Sequence, residues 1–243
     1  RHELTSAQLE LVQMACRLAS VCIEQRQLTG QLAYQARHDA LTGLPNRISF
    51  EDWAKQTLAH ARRHGQPAGV LSIDLDRFKL VNDKLGHAIG DGLLRQVARR
   101  MVGCLRDTDM VARWGGDEFM VGLMELRHHE DAQLVAQKLM DALRGPIEVE
   151  GHKVTVTVTI GICIFPEDGQ DLGALLRNAD RAMYRAKNNG RNGFEYYRPE
   201  LGDAAQHRLE LESELAGALD RGELLLHYQP QFDAASGLLV GLE

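Results

Sequence analysis

Cysteine is scarce and is never spaced as a metal ligand pair. The four thiols, Cys16, Cys22, Cys104 and Cys163, include no C-x-x-C unit and fall in apolar helix-like or strand-like stretches. They read as buried, reduced thiols of a cytoplasmic protein, which argues against a cysteine metal site. Long hydrophobic runs are missing too. No stretch of about 18 uncharged apolar residues occurs and no signal-peptide pattern is read, so the fragment is expected to be soluble and to make no membrane contact of its own. Basic charge is also short. With 28 Lys and Arg against 34 Asp and Glu, the formal net charge is −6, which argues against nucleic acid or an anionic membrane surface as the main partner. A nucleotide site on such a chain has to be locally basic or bridged by metal.

What is present is ordinary globular material. The 243 residues, 44% hydrophobic and 26% charged, suffice for one domain of about 150 residues with flanking pieces. Residues 5–37 read as one long helix, in which Leu11, Met14, Leu18, Val21, Gln25, Leu28 and Leu32 recur at the alternating three- and four-residue spacing of a coiled-coil seam. A dimerising connector is one reading of that seam, and an amphipathic helix packed on its own domain is the other. After a turn over 39–47, Asn46 is a candidate N-cap for a helix over 47–63. A buried strand over 70–75, a helix over 90–105, a hairpin of strands 109–112 and 119–123, and a helix over 130–143 follow. Residues 154–164 alternate Val or Ile with Thr, a period-two strand pattern. A helix over 172–188 and a short strand over 194–197 complete an α+β sandwich, with helices against a mixed or antiparallel sheet. From 199 the composition shifts to a charged amphipathic helix over 201–221 and the start of a new strand system at 224–229.

The chemistry-bearing residues gather at strand ends. The hairpin turn reads Arg113-Trp114-Gly115-Gly116-Asp117-Glu118-Phe119, where glycine lets the backbone approach a ligand and adjacent carboxylates suit a hard divalent cation that also meets phosphates. The strand over 70–75 ends in Asp74 and Asp76. Asp74 and Asp117 can meet on adjacent strands, where two carboxylates with no lysine partner repel unless a cation holds them; taken singly, Asp74 or Asp76 also suits a turn or cap. Lys79 follows that Asp-Leu-Asp turn by a few residues, where its ammonium can reach a phosphate held at the turn. Lys187 and Arg191 suit phosphate contacts, and equally a helix C-terminus favoured by the dipole. Asn82 and Asp91 can read a guanine edge, and Asp91 also suits an N-cap.

Four segments together carry a family resemblance: DALTGLPNR at 39–47, DLDRFKLVNDKLGHAIGDG at 74–92, RWGGDEF at 113–119 and ADRAMYRAKNNGRNG at 179–193. In order and spacing they resemble the GGDEF-domain diguanylate cyclases over about residues 38–197. The resemblance implies a central, mainly antiparallel sheet flanked by helices, related to nucleotide-cyclase and ferredoxin-like folds. It also implies condensation of two GTP into cyclic di-GMP with release of pyrophosphate, and Mg²⁺ or Mn²⁺ as cofactor. Carried over by position, Asp74, the Leu75 carbonyl, Asp117 and Glu118 resemble the metal ligands, with Asp117 and Glu118 the catalytic pair. Phe78, Lys79, Gly115, Gly116, Lys187 and Arg191 resemble the phosphate contacts, and Asn82 and Asp91 the guanine readers. Arg106 and Asp109, an Arg-x-x-Asp unit, resemble the site at which cyclic di-GMP inhibits its own synthesis, although a surface salt bridge is the plain alternative. Because each domain holds one GTP, the resemblance implies a catalytic homodimer, which gives the seam a role.

The flanks resemble neighbours of this family. Residues 1–37 are expected to form a signalling or coiled-coil helix, similar to the last helix of a GAF-type sensor. Residues 198–243 are expected to form a linker helix and the truncated opening of an EAL phosphodiesterase domain, with Glu243 matching its naming glutamate.

Overall fold

The computed structural model describes residues 14, 17, 20–26, 29, 34–199, 229–234 and 237–242. Residues 14, 17, 20–26, 29, 34 and 35 are helical, and residues 36 and 37 are turn rather than the end of the expected helix; the remaining positions of that helix, Leu11, Leu18, Leu28 and Leu32 of the seam among them, lie outside the described residues. Of the seam, Met14 is 64% and Val21 58% exposed. The expected helix over 201–221 and almost all of the expected strand over 224–229 also lie outside. Cys22 is exposed, contrary to the expectation, whereas Cys104 and Cys163 are buried and free, and burial pushes both thiols up from their ordinary range. Among the described residues no helix is long and apolar enough to cross a membrane. Two compact units divide the chain, residues 1–199 and 200–243.

Beyond residue 46 the helices of the first unit are α1 (Arg47–His64), α2 (Phe78–Leu85), α3 (His87–Val102), α4 (Glu130–Arg144) and α5 (Leu172–Asn188). The strands are β1 (Ala68–Leu75), β2 (Met110–Gly115), β3 (Glu118–Leu123), β4 (Ile147–Val149), β5 (His152–Val154), β6 (Val158–Phe165) and β7 (Phe194–Tyr196). The sheet order is β2-β3-β1-β6-β7. Every pairing is antiparallel except the parallel β6–β7 contact, so the mainly antiparallel α+β sheet flanked by helices is present. The second unit contributes a hairpin of β8 (Pro230–Phe232) and β9 (Leu239–Leu242).

Both faces of the sheet are covered, and that explains its burial. On one side Leu71, Ile73 and Ile162 join Leu93 and Val97 of α3 and Leu139 and Leu143 of α4. On the other, Val70, Met120 and Cys163 join Phe50 and Ala54 of α1 and Leu175 and Ala179 of α5. β6 is therefore buried at all eight positions. The expected strand over 154–164 is broken, because residues 155–157 leave the ladder between β5 and β6. Two elements were not expected: the short helix α2 and the β4–β5 hairpin, which turns through Glu150 at φ 48 and Gly151 at φ 80. The cap at Asn46 is as the sequence predicts, its side chain accepting from Ser49 N at 3.1 Å.

Helix α5 seats directly on β6. A Cβ at Gly161 would overlap Ala179 O and Met183 N and come within 2.9 Å of Met183 Cα, so backbone meets backbone with no side chain between. Overpacking of this kind costs about 1–3 kcal/mol. Gly161→Ala is expected to lower the urea midpoint by that free energy with an unchanged m-value, and a parent-like midpoint would show that the helix can simply slide.

Candidate active site

The site is built at one end of the sheet by strand register. Asp74 of β1 stands opposite Glu118 of β3, and Leu75 N–H donates to the Asp117 carbonyl at 3.3 Å. Acids distant in sequence thus meet side by side. The turn between β2 and β3 follows a register slip after Arg113 and passes through Gly116 at φ 52, a backbone state that glycine adopts without strain.

Arg113 clamps that turn. Its Nη1 donates to Asp39 Oδ1 and Oδ2 at 3.0 and 3.1 Å, while Nε and Nη2 donate to the Gly116 carbonyl at 3.1 and 2.8 Å. Asp39 also accepts from the Thr42 N–H and hydroxyl at 2.8 and 2.7 Å. Burial raises the Asp39 carboxyl, but the Thr42 and Arg113 bonds outweigh it and hold the group below its ordinary value. The 39–47 segment is therefore the brace of the glycine turn.

The expectation that the acids converge without a lysine partner is corrected. Lys187 of α5 places Nζ 2.8 Å from Asp74 Oδ2, with both side chains largely shielded. Even so, burial first and then the Asp117 and Asp76 charges push the Asp74 carboxyl up. Partial burial, then Asp180 and Asp74, push Glu118 up against the opposing pull of Lys187. Asp180 of α5 is a member of this group to which the sequence reading assigned no role. It accepts from Ser72 Oγ at 2.6 Å, and burial raises it despite Ser72 and Lys187. Asp74, Glu118 and Asp180 thus share the pull of one ammonium. Among the described residues no three His, Cys, Asp or Glu side chains form a ready metal-holding group. The oxygen-only donors and the unbalanced negative charge nevertheless fit a hard divalent cation.

Asp76 is structural. It is 7% exposed and accepts from Thr157 Oγ1 at 2.6 Å, Thr159 Oγ1 at 2.7 Å and Asn192 N at 3.1 Å. These bonds fasten the 190–192 loop, in which Arg191 and Asn192 adopt φ of 62 and 46. Thr159, fully buried, serves this carboxylate rather than solvent.

The other candidate residues surround this end. Phe78 opens α2 and is buried, Lys79 beside it is exposed, and Asn82 follows on the same helix. Asp91 is an exposed residue inside α3 rather than its cap, since Gly86 at φ 87 holds the N-cap position. Arg191 is exposed beyond the end of α5. Arg106 and Asp109 lie apart, between α3 and β2. Asp109 accepts from Arg106 N at 3.1 Å and Met124 N at 3.3 Å. No ion pair joins the Arg106 guanidinium to it among the described residues, so the surface salt bridge is not formed. A cavity of about 190 Å³ opens there, lined by both residues with Leu134, Val135 and Lys138.

The family profile described as "Diguanylate cyclase, GGDEF domain" matches residues 36–193. The chain belongs to the GGDEF-domain family. Its GGDEF domain is similar to part of the bifunctional diguanylate cyclase/cyclic di-GMP phosphodiesterase MucR of Pseudomonas aeruginosa, with 43% identity over 213 residues, 88% of this chain and 31% of MucR. The cyclic di-GMP phosphodiesterase NbdA of the same organism is 40% identical over 212 residues, 87% of this chain and 27% of NbdA. Diguanylate cyclase TpbB, also of P. aeruginosa, is 47% identical over 161 residues, 66% of this chain and 37% of TpbB. A solved TpbB structure comprising only the GGDEF domain aligns with a TM-score of 0.68 at 42% identity, covering 70% of this chain and 99% of that one. The chain spans well under half the length of these curated relatives.

Lys187→Met leaves Asp74 without its cation. Because the Asp74 carboxyl already sits above its ordinary value, the folded state binds the proton more readily than the unfolded state, and stability falls as pH rises through the folded pKa. The variant is expected to lose about 1–3 kcal/mol at pH 7, the cost of leaving a partly buried acceptor without its partner, and less at pH 4, since acid moves Asp74 toward its neutral form. Denaturation at the two pH values checks this, and an equal loss at both would remove the Asp74 pairing as its cause.

Proposed function

We propose that this GGDEF domain is a diguanylate cyclase that condenses two GTP into cyclic di-GMP and releases pyrophosphate. The observation that carries the reading is the β1–β3 register, which brings Asp74 opposite Glu118 at the glycine turn. Asp74, the Leu75 carbonyl, Asp117 and Glu118 are the groups to hold Mg²⁺ or Mn²⁺, which when bound neutralises phosphate charge and lowers the proton affinity of the attacking hydroxyl. The ribose 3′-hydroxyl of one GTP attacks the α-phosphorus of the other while pyrophosphate leaves, and Asp117 accepts the proton. Gly115, Gly116 and the Phe78 backbone line the phosphates, and Lys79, Lys187 and Arg191 balance their charge. Lys187 exchanges its Asp74 partner for phosphate as the site fills. Asn82 and Asp91 read guanine, and Arg106 with Asp109 binds cyclic di-GMP as inhibitor.

One domain supplies half of this chemistry, so two copies face each other as a homodimer, helped by the seam of residues 11–32; the exposure of Met14 and Val21 supports that use. Residues 1–37 then form the signalling helix, akin to the end of a GAF sensor, 38–197 the cyclase domain, and 198–243 the linker and opening of an EAL domain. A cytoplasmic setting fits the nucleotide substrate. The second reading is a GTP-binding domain that regulates a phosphodiesterase without turnover, and the likeness to NbdA, named a phosphodiesterase, favours it.

Incubating the chain with GTP and Mg²⁺ separates the two: cyclic di-GMP formation supports the cyclase, and GTP binding without product supports the regulator. Asp117→Ala is expected to lower turnover at least about a hundredfold with an unchanged thermal midpoint. Wild-type turnover in that variant would sink the assignment. Arg106→Ala is expected to keep GTP turnover and lose inhibition by added cyclic di-GMP; equal inhibition of variant and parent would return Arg106 to a surface role.

A further inference from the structure

Asn82 Oδ1 is a buried side-chain oxygen with no hydrogen-bond partner. Such an atom forfeits hydration without compensation, so its placement calls for a reason. It faces Gly90 of α3. A Cβ built on Gly90 would collide with Asn82 Oδ1 and would lie 3.0 Å from Asn82 Cγ and 3.2 Å from Phe78 Cζ. Gly90 sits inside the helix and is not among the residues of positive φ. The backbone there does not require glycine, and alanine is the better helix former. What the missing side chain provides is the space into which the Asn82 carboxamide folds.

We infer that Gly90 is a specificity-determining positioning residue for the nucleotide base. With its oxygen lodged against Gly90, the Asn82 carboxamide keeps its NH₂ as the outward group. The next residue along α3, Asp91, is exposed and supplies a carboxylate. A donor from Asn82 and an acceptor from Asp91 together match guanine, which offers O6 as acceptor and ring and amino N–H groups as donors; adenine presents an amino donor where guanine has O6. A methyl group at position 90 pushes the carboxamide out of this seat. Only the far end of a flexible side chain must move, so the fold tolerates the change while base recognition does not. This inference rests on the guanine-reading role proposed above for Asn82 and Asp91.

The test measures binding of 3′-deoxyguanosine and 3′-deoxyadenosine triphosphates with Mg²⁺, since both lack the attacking hydroxyl and report affinity without turnover. Gly90→Ala is expected to weaken the guanine nucleotide about tenfold, the loss of roughly one hydrogen bond, and to change the adenine nucleotide less than about twofold on the same reasoning. Its unfolding midpoint is expected not to fall. Asn82→Ala is expected to show the same selective loss. The double variant is expected to bind no more weakly than Asn82→Ala alone, because the added methyl then has nothing to displace. It also lacks the collision, so it preserves the comparison if the single glycine variant folds poorly. Parent-like affinity in Gly90→Ala, equal losses for both nucleotides, or losses that multiply in the double variant would each overturn the inference. Parent-like affinity in Asn82→Ala removes the guanine-reading role itself and the inference with it, an outcome distinct from a silent Gly90→Ala.

Discussion

Backbone pairing between β1 and β3 forces Asp74 and Glu118 next to each other, and much at that end of the sheet answers the resulting repulsion. Carboxylates this close are costly in a partly dry environment unless cations or hydrogen bonds compensate. The fold compensates in part. Lys187 reaches Asp74, Ser72 bonds Asp180, and Asp76 is removed from the competition by two threonine hydroxyls and a backbone N–H. Asp74, Glu118 and Asp180 still stand above their ordinary pKa values. The remaining strain is what makes the cluster receptive to further positive charge.

Two aspartates separated by a single residue thus do opposite work. Asp74 is a group under electrostatic tension, whereas Asp76 is a fastener that ties the start of β6 and the left-handed 190–192 loop to the end of β1. Arg113 is a fastener of the opposite sign: it spans from Asp39 to the Gly116 carbonyl and lets a glycine turn, soft by composition, hold one shape. The catalytic-looking turn and the stretch after the N-terminal helix are consequently one hydrogen-bonded assembly.

The sequence made the local features readable. The Asn46 cap, the β2–β3 hairpin and the long helices follow from cap chemistry and periodicity, and the four motif segments marked the acids that meet at the sheet end. What escaped has physical causes. Helix α2 is eight residues long and starts from Arg77 at φ 58 with no side-chain cap, so neither length nor capping marks it. The strands of the β4–β5 hairpin have three residues each, too few to show a period. Nothing local marks Thr159 as the residue that turns inward to a buried carboxylate. Asp180 and the Lys187–Asp74 pair carry no local marker; they exist only once α5 is laid across β1.

That last contact depends on a residue with no chemistry of its own. Gly161 lets the backbone of α5 rest against β6 at Ala179 and Met183. Asp180 is the neighbour of the first of these, and Lys187 lies one helical turn beyond the second. The gap at position 161 acts as a spacer gauge: the thickness of a single methyl group sets how deep the helix sits, and therefore whether a four-carbon side chain is long enough to span the distance to Asp74.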